Sequence, residues 1–101
     1  MSRKISQKAT NAFYRGENFT ESNTAVRDFG TYVGLFLWGN RIASYEKTTK
    51  RVWFSLCGYN TNTTRERLRA LGIDIRTRNG SAYYNGAGID INGVYESDII
   101  A

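Results

Sequence analysis

Thr61, Asn62, Thr63, Thr64, Arg65 and Arg69 crowd one short stretch of this chain, from Tyr59 to Gly72. Hydroxyls, amides and guanidinium groups beside the first turn of a helix suit an anion. The free backbone N–H groups and the positive dipole end of such a turn point the same way. Thr63 and Glu66 also fit a capping box, in which each side chain satisfies a donor near the helix start. Those two residues therefore have a structural use that needs no ligand. Arg65, Arg67 and Arg69 cannot form one stripe, because residues two apart on a helix point about 200° away from each other. Arg65 and Arg69 fall on one side, and Arg67 is left with a structural role. On the strand expected next, Arg76 and Arg78 share a face. Arg65, Arg69, Arg76 and Arg78 would then make a two-element basic patch, able to follow a phosphate backbone or grip a nucleotide. The plainer use of these arginines is pairing with Glu66, Asp74 or the acidic tail.

Aromatic residues are the second ingredient. Tyr32, Trp38, Tyr45, Trp53, Tyr59, Tyr83 and Tyr84 interleave with basic residues, the grammar of base stacking beside phosphate contacts. The same residue types fill the cores of small β-rich domains. Among them Tyr45, Trp53 and Tyr59 are the expected stacking or interface residues. Tyr45 and Trp53 are expected on a second sheet face, flanked by Arg41 and Arg51, where they would also suit a homodimer.

Composition removes most other chemistry. The chain has 101 residues, no His and one Cys, Cys57. That excludes His-dependent nucleophilic triads and the usual metal ligand, as well as an intrachain disulfide. Asp90-x-Asn92-Gly93 lacks the remaining ligands of a calcium loop. Gly86-x-Gly88 is too little for a phosphate loop. The expectation is a protein that is not an enzyme, with no catalytic residues, no metal and no cofactor. A formal net charge of +5 and a pI near 9.6 favour an acidic partner, such as nucleic acid or a nucleotide. Lys and Arg gather in residues 41–78, whereas residues 79–101 carry Asp90, Glu96 and Asp98 and no base. No apolar run is long enough to span a bilayer, and the N-terminus is too polar for a signal peptide. The chain reads as cytoplasmic, with no membrane partner.

These side chains have to be positioned by one domain, residues 1–101, of α+β class. It is expected to be a mostly antiparallel β-meander with two short helices packed on one face. Residues 4–15 read as an amphipathic helix, with Ile5, Ala9, Ala12 and Phe13 on one side and Gly16 ending it. From Thr24 to Leu56 the pattern is a meander, with Gly39-Asn40 as a hairpin signal. Its next strand, Arg41–Glu46, is expected to turn Ile42 and Ser44 to one side and Arg41, Ala43 and Tyr45 to the other. Val52, Phe54 and Leu56 alternate inward, with Trp53 outward. A helix over Thr63–Leu71 is stopped by Gly72. Ile73 and Ile75 then point in, against Asp74, Arg76 and Arg78 pointing out. Asn79-Gly80 predicts a hairpin. Gly86-Ala87-Gly88 reads as a loosened segment, and Asn92-Gly93 as the turn of a last small hairpin.

Two segments carry a resemblance. One runs from Lys4-Ile5-Ser6 through Ala12-Phe13, Phe19 and Ser22-Asn23-Thr24-x-Val26 to Leu35-x-Leu37-x-Gly39-Asn40-x-Ile42-Ala43. The other is Trp53-x-Ser55-x-x-Gly58-Tyr59-x-Thr61-x-Thr63-Thr64-x-x-Arg67-Leu68-x-x-Leu71, followed by Tyr84-Asn85-Gly86. Together they resemble a family of small bacteriophage-encoded proteins, over most of the chain. No residue role carries over. The resemblance implies an accessory protein made in the cytoplasm of an infected bacterium. Such proteins are often inhibitors of host defence or factors associated with nucleic acid. The expected function is thus non-enzymatic inhibition of a host defence system through a phosphate-bearing ligand. That ligand is a nucleotide signal or the nucleic-acid path of a nuclease complex. The alternatives are a direct nucleic-acid-binding module and a protein–protein inhibitor using an aromatic sheet face, its partner a host defence protein complex.

Overall fold

The computed structural model describes the backbone of residues 2–100 and the side chains from Lys4 to Ile100. Helix α1 spans Ser2–Arg15. Five strands follow: β1 Phe19–Glu21, β2 Thr24–Asp28, β3 Tyr32–Leu37, β4 Asn40–Glu46 and β5 Arg51–Phe54. After helix α2, Asn62–Leu71, come β6 Ile75–Arg78, β7 Ser81–Tyr84, β8 Ala87–Gly88 and β9 Tyr95–Ile100. The class is α+β. Six strands form an antiparallel sheet in the order β1-β2-β3-β4-β5-β9, and β6-β7-β8 form a separate small one.

The core follows the apolar periodicities. Ala9, Ala12 and Phe13 from α1 and Leu68 and Leu71 from α2 meet Val26, Val33, Leu35, Val52 and Phe54 from the large sheet. Ile73, Ile75 and Ala82 bring the small sheet onto the same core. The expected inward set of β5 and of Ile73–Arg78 is observed, Trp53 included on the opposite face. Gly72 closes α2 in the left-handed region (φ 105°), and its N–H donates to Leu68 and Arg69 carbonyls. That is the glycine C-cap expected from sequence. The cap at the other end lies two residues earlier than expected. Thr61 is the N-cap, and its hydroxyl accepts from Thr64 N–H. Glu66 takes no part in a capping box. It accepts from Ser6 of α1 instead (2.7 Å).

Strand β4 departs from simple alternation. Leu35 opposes Ala43 while Phe36 opposes Arg41, which leaves Ile42 as an extra residue. This β-bulge sets two residues against one and flips the parity beyond it. Ile42, Ala43 and Tyr45 are consequently all buried. Tyr45 was expected beside Trp53, but it sits on the inner face at 7 % exposure. It opposes Val33 and Val52 and packs on Phe13 and Tyr14. It is a core residue.

The turns differ in placement too. The β3–β4 tip is Trp38-Gly39, one residue before the expected Gly39-Asn40, with both φ angles positive (53° and 80°). Asn79-Gly80 turns β6 into β7 as expected. Asn85-Gly86 turns β7 into β8, where a loosened segment was expected. Asn92-Gly93 makes no hairpin: Gly93 N–H bonds Asp90 O and Asn92 N–H bonds the Asp90 carboxylate. The chain then joins the edge of the large sheet as β9, where Phe54 opposes Tyr95.

Candidate ligand-binding cleft

The N-terminal turn of α2 faces the β3–β4 tip across a cleft of about 410 Å³. Leu37, Ile42 and Leu56 give it an apolar lining. Thr61, Thr63, Thr64 and Asn40 supply polar groups, and Trp38 and Tyr59 also line it. Those two rings are 74 % and 56 % exposed. The turn Leu56–Tyr59, closed by a bond from Tyr59 N–H to Leu56 O, sets Tyr59 just ahead of the helix cap. Trp38 is held by its own N–H, which donates to Asn23 O in the β1–β2 turn (2.8 Å).

Arg65 lies beneath this turn, 7 % exposed. Nη1 donates to Asn60 O (3.0 Å) and to Asn60 Oδ1 (2.6 Å), and Nη2 donates to Asn62 Oδ1. Its buried Nε has no hydrogen-bond partner, and among the described residues no carboxylate pairs with it. A desolvated cation without a counter-charge adds its field to the positive end of the helix dipole. Arg65 does not itself line the cleft: its charge sits within the first turns of α2 and its hydrogen bonds go to Asn60 and Asn62. It is not a surface partner of Arg69, as the helix spacing suggested.

The other expected residues separate. Arg69 is exposed, and its Nε donates to Ile75 O (2.9 Å). Arg76 and Arg78 do share the outward face of the small sheet, beside a groove also lined by Tyr83. Arg76 is paired with Asp74 (3.1 Å). Trp53 faces out from the large sheet and donates from Nε1 to Glu46 (2.7 Å). Arg67 is a core group at 3 % exposure. It donates to Thr24 (3.0 Å), Ser6 (2.9 Å) and Glu66, so that it ties α2 to α1 and β2.

The family described as Kyanoviridae Gp96 protein matches residues 2–98. The chain belongs to that phage-encoded family. No curated protein and no solved structure matches it. Membership agrees with the resemblance carried by the two segments above, and assigns no residue a role. Within the family member described here, Trp38 is the cleft residue that sequence reasoning undervalued. Its signal was its place in a two-residue turn between strands, where a bulky side chain must stand in solvent. Among the described residues no cluster of His, Cys, Asp and Glu has the makings of a metal site. Among the same residues no helix is long and apolar enough to cross a membrane.

Proposed function

We propose that this phage protein is a non-catalytic binding protein whose ligand carries both a flat ring and a phosphate, and that it inhibits a host defence system by holding that ligand. The ring is received by Trp38 and Tyr59. The phosphate takes the N-terminal turn of α2, with the Thr61 and Thr63 hydroxyls and the buried Arg65 charge behind it. A nucleotide or a nucleic-acid end fits that description.

One observation carries the reading. Among the described residues, three hairpin tips place two successive residues at positive φ, and two of them use Asn-Gly, the pair such turns favour. The third uses Trp38-Gly39, with the large ring left in solvent at the mouth of the cleft. Turn chemistry gives no reason for tryptophan there, whereas stacking does.

Trp38 and Trp53 are the two tryptophans of the chain. A Trp53→Phe variant leaves Trp38 as the reporter. Titration with AMP, ATP and oligothymidylate should quench its fluorescence saturably, and Tyr59→Ala should weaken the binding. No saturable change up to about 1 mM, a Kd worth only about 4 kcal/mol, removes the proposal.

A second reading, a protein partner on the outer face of the large sheet, is favoured by Phe29. That ring is half exposed and stacked on Tyr32 at 4.8 Å. A host protein retained by the wild type and lost with Phe29→Ala, in the absence of any nucleotide effect, would replace the first reading with this one.

A further inference from the structure

One residue connects the loop that borders the cleft with the hairpin that borders a groove on the small sheet. Tyr59 and Thr61 line the cleft. Between them Asn60 turns its amide the other way, donating to Thr77 Oγ1 and to Gly80 O (3.4 Å each) in the β6–β7 hairpin. Thr77 lines the groove, whose volume is about 620 Å³. Arg76 opposes Tyr83 across the β6–β7 pair, and Arg78 opposes Ser81. An exposed guanidinium thus sits beside a half-buried tyrosine, with a second guanidinium two residues on along the same strand face. Asn79, Asn85 and Gly86 complete the wall. Asp74 opposes an anion here by holding Arg76, and Asn85 is engaged by Asp98.

A mononucleotide would fill the cleft alone and leave the groove without a use. Two guanidinium groups along one strand, with an aromatic ring across from the first, suit a single strand, whose phosphates run beside stackable bases. Resting on the cleft reading above, we propose that the ligand is a single-stranded nucleic acid, not a free nucleotide. One base occupies the Trp38–Tyr59 cleft. The strand crosses Asn60, and its backbone continues over Arg78 and Arg76 with a base on Tyr83. Asp74 is a brake on this contact, because it competes with the phosphate for Arg76.

The test compares AMP with an oligothymidylate of about eight nucleotides, inside the ~4–16 nucleotide span usual for single-strand sites. Both are followed by Trp38 fluorescence in the Trp53→Phe background, across a salt series. The oligonucleotide should bind at least about tenfold more tightly than AMP, with the steeper salt dependence. Arg76→Gln with Arg78→Gln should remove that advantage, lower the salt slope by about 0.7 for each phosphate no longer neutralised, and leave AMP unchanged. Asp74→Asn should tighten the oligonucleotide alone. Lys4→Gln, an exposed change on α1, is the control. If AMP binds and the oligonucleotide gains nothing, the single-strand proposal is overturned while the cleft reading stands. An oligonucleotide advantage that survives the double substitution overturns the path over the small sheet. If neither probe changes Trp38, the cleft reading itself has failed.

Discussion

Arg65 and Arg67 are two residues apart and both are buried, yet they do different work. Arg67 has Glu66 beside it and Ser6, Thr24 and Asn23 around its nitrogens, so its charge and its donors are both answered. Arg65 has only carbonyl and amide oxygens and keeps a net field. Removing Arg67 leaves Glu66 and the Ser6 and Thr24 hydroxyls without their shared donor, between α1, α2 and β2. Breaking one side of such a buried pair costs about 3–5 kcal/mol where both partners are fully desolvated. Glu66 keeps some solvent exposure, so Arg67→Ala should lose about 3 kcal/mol, read as a lower urea midpoint. Arg69→Ala, which gives up one part-buried bond to Ile75 O, should lose about 1 kcal/mol. Equal losses would show that Arg67 is not the tie between the helices.

At the scale of elements the β3–β4 hairpin combines a poor turn residue with a strong pair of strands. A non-glycine residue in the left-handed region costs about 1–2 kcal/mol, and asparagine tolerates it best. Trp38→Asn would recreate the Asn-Gly pair of the other two tips. Because the ring is mostly in solvent, little packing is given up. The variant should be more stable by about 0.5–1 kcal/mol in urea denaturation and should bind AMP less well. Lower stability would mean that Trp38 is there for the fold, and the argument for a ligand would fail with it. Local elements of this kind were readable in the sequence: the reach of α2, its Gly72 stop, the alternation from Ile73 to Arg78 and the Asn79-Gly80 turn all follow from neighbours in the chain. The bulge at Ile42 was not readable, since the residue that makes it extra is Phe36 on another strand facing Arg41. One unseen bulge moved Tyr45 from the expected partner face into the core. The same limit hid β9, whose pairing with β5 is decided by Phe54 and Tyr95 across a long stretch of chain. Of the expected site, the α2 turn and Tyr59 were legible because they are local. The separation of Arg65 from Arg76 and Arg78 was not, because burial is a property of the packed whole.

At the scale of the molecule, an aromatic cluster adds a further tie between α1 and the large sheet, and one of its rings reaches α2. Phe13, Tyr14 and Tyr45 meet edge-on or tilted, 5.2–6.0 Å apart, between α1 and β4. The Tyr14 hydroxyl donates to Leu71 O at the end of α2 (2.7 Å), which satisfies a carbonyl the helix itself leaves open. Burial pushes the Tyr14 phenol up to about 12, and the neighbouring Tyr45 adds to the rise. In the unfolded chain the phenol loses its proton near the ordinary value of 10.0. Between these two values the unfolded chain therefore holds fewer protons at this position than the folded one, so stability falls as pH rises. The contribution is fully present below pH 10.0 and is gone above about 12. Tyr14→Phe removes both the bond and the titration. Near neutral pH the variant should be less stable than the wild type by about 1 kcal/mol, the worth of one hydrogen bond. Urea denaturation repeated from neutral to alkaline pH should show that gap closing across the window, as the wild type alone loses the stabilisation from Tyr14. A gap that stays constant through the window would mean that the Tyr14 hydroxyl is as open to water in the folded protein as in the unfolded chain, and that the two helices are held together by their apolar contacts without it.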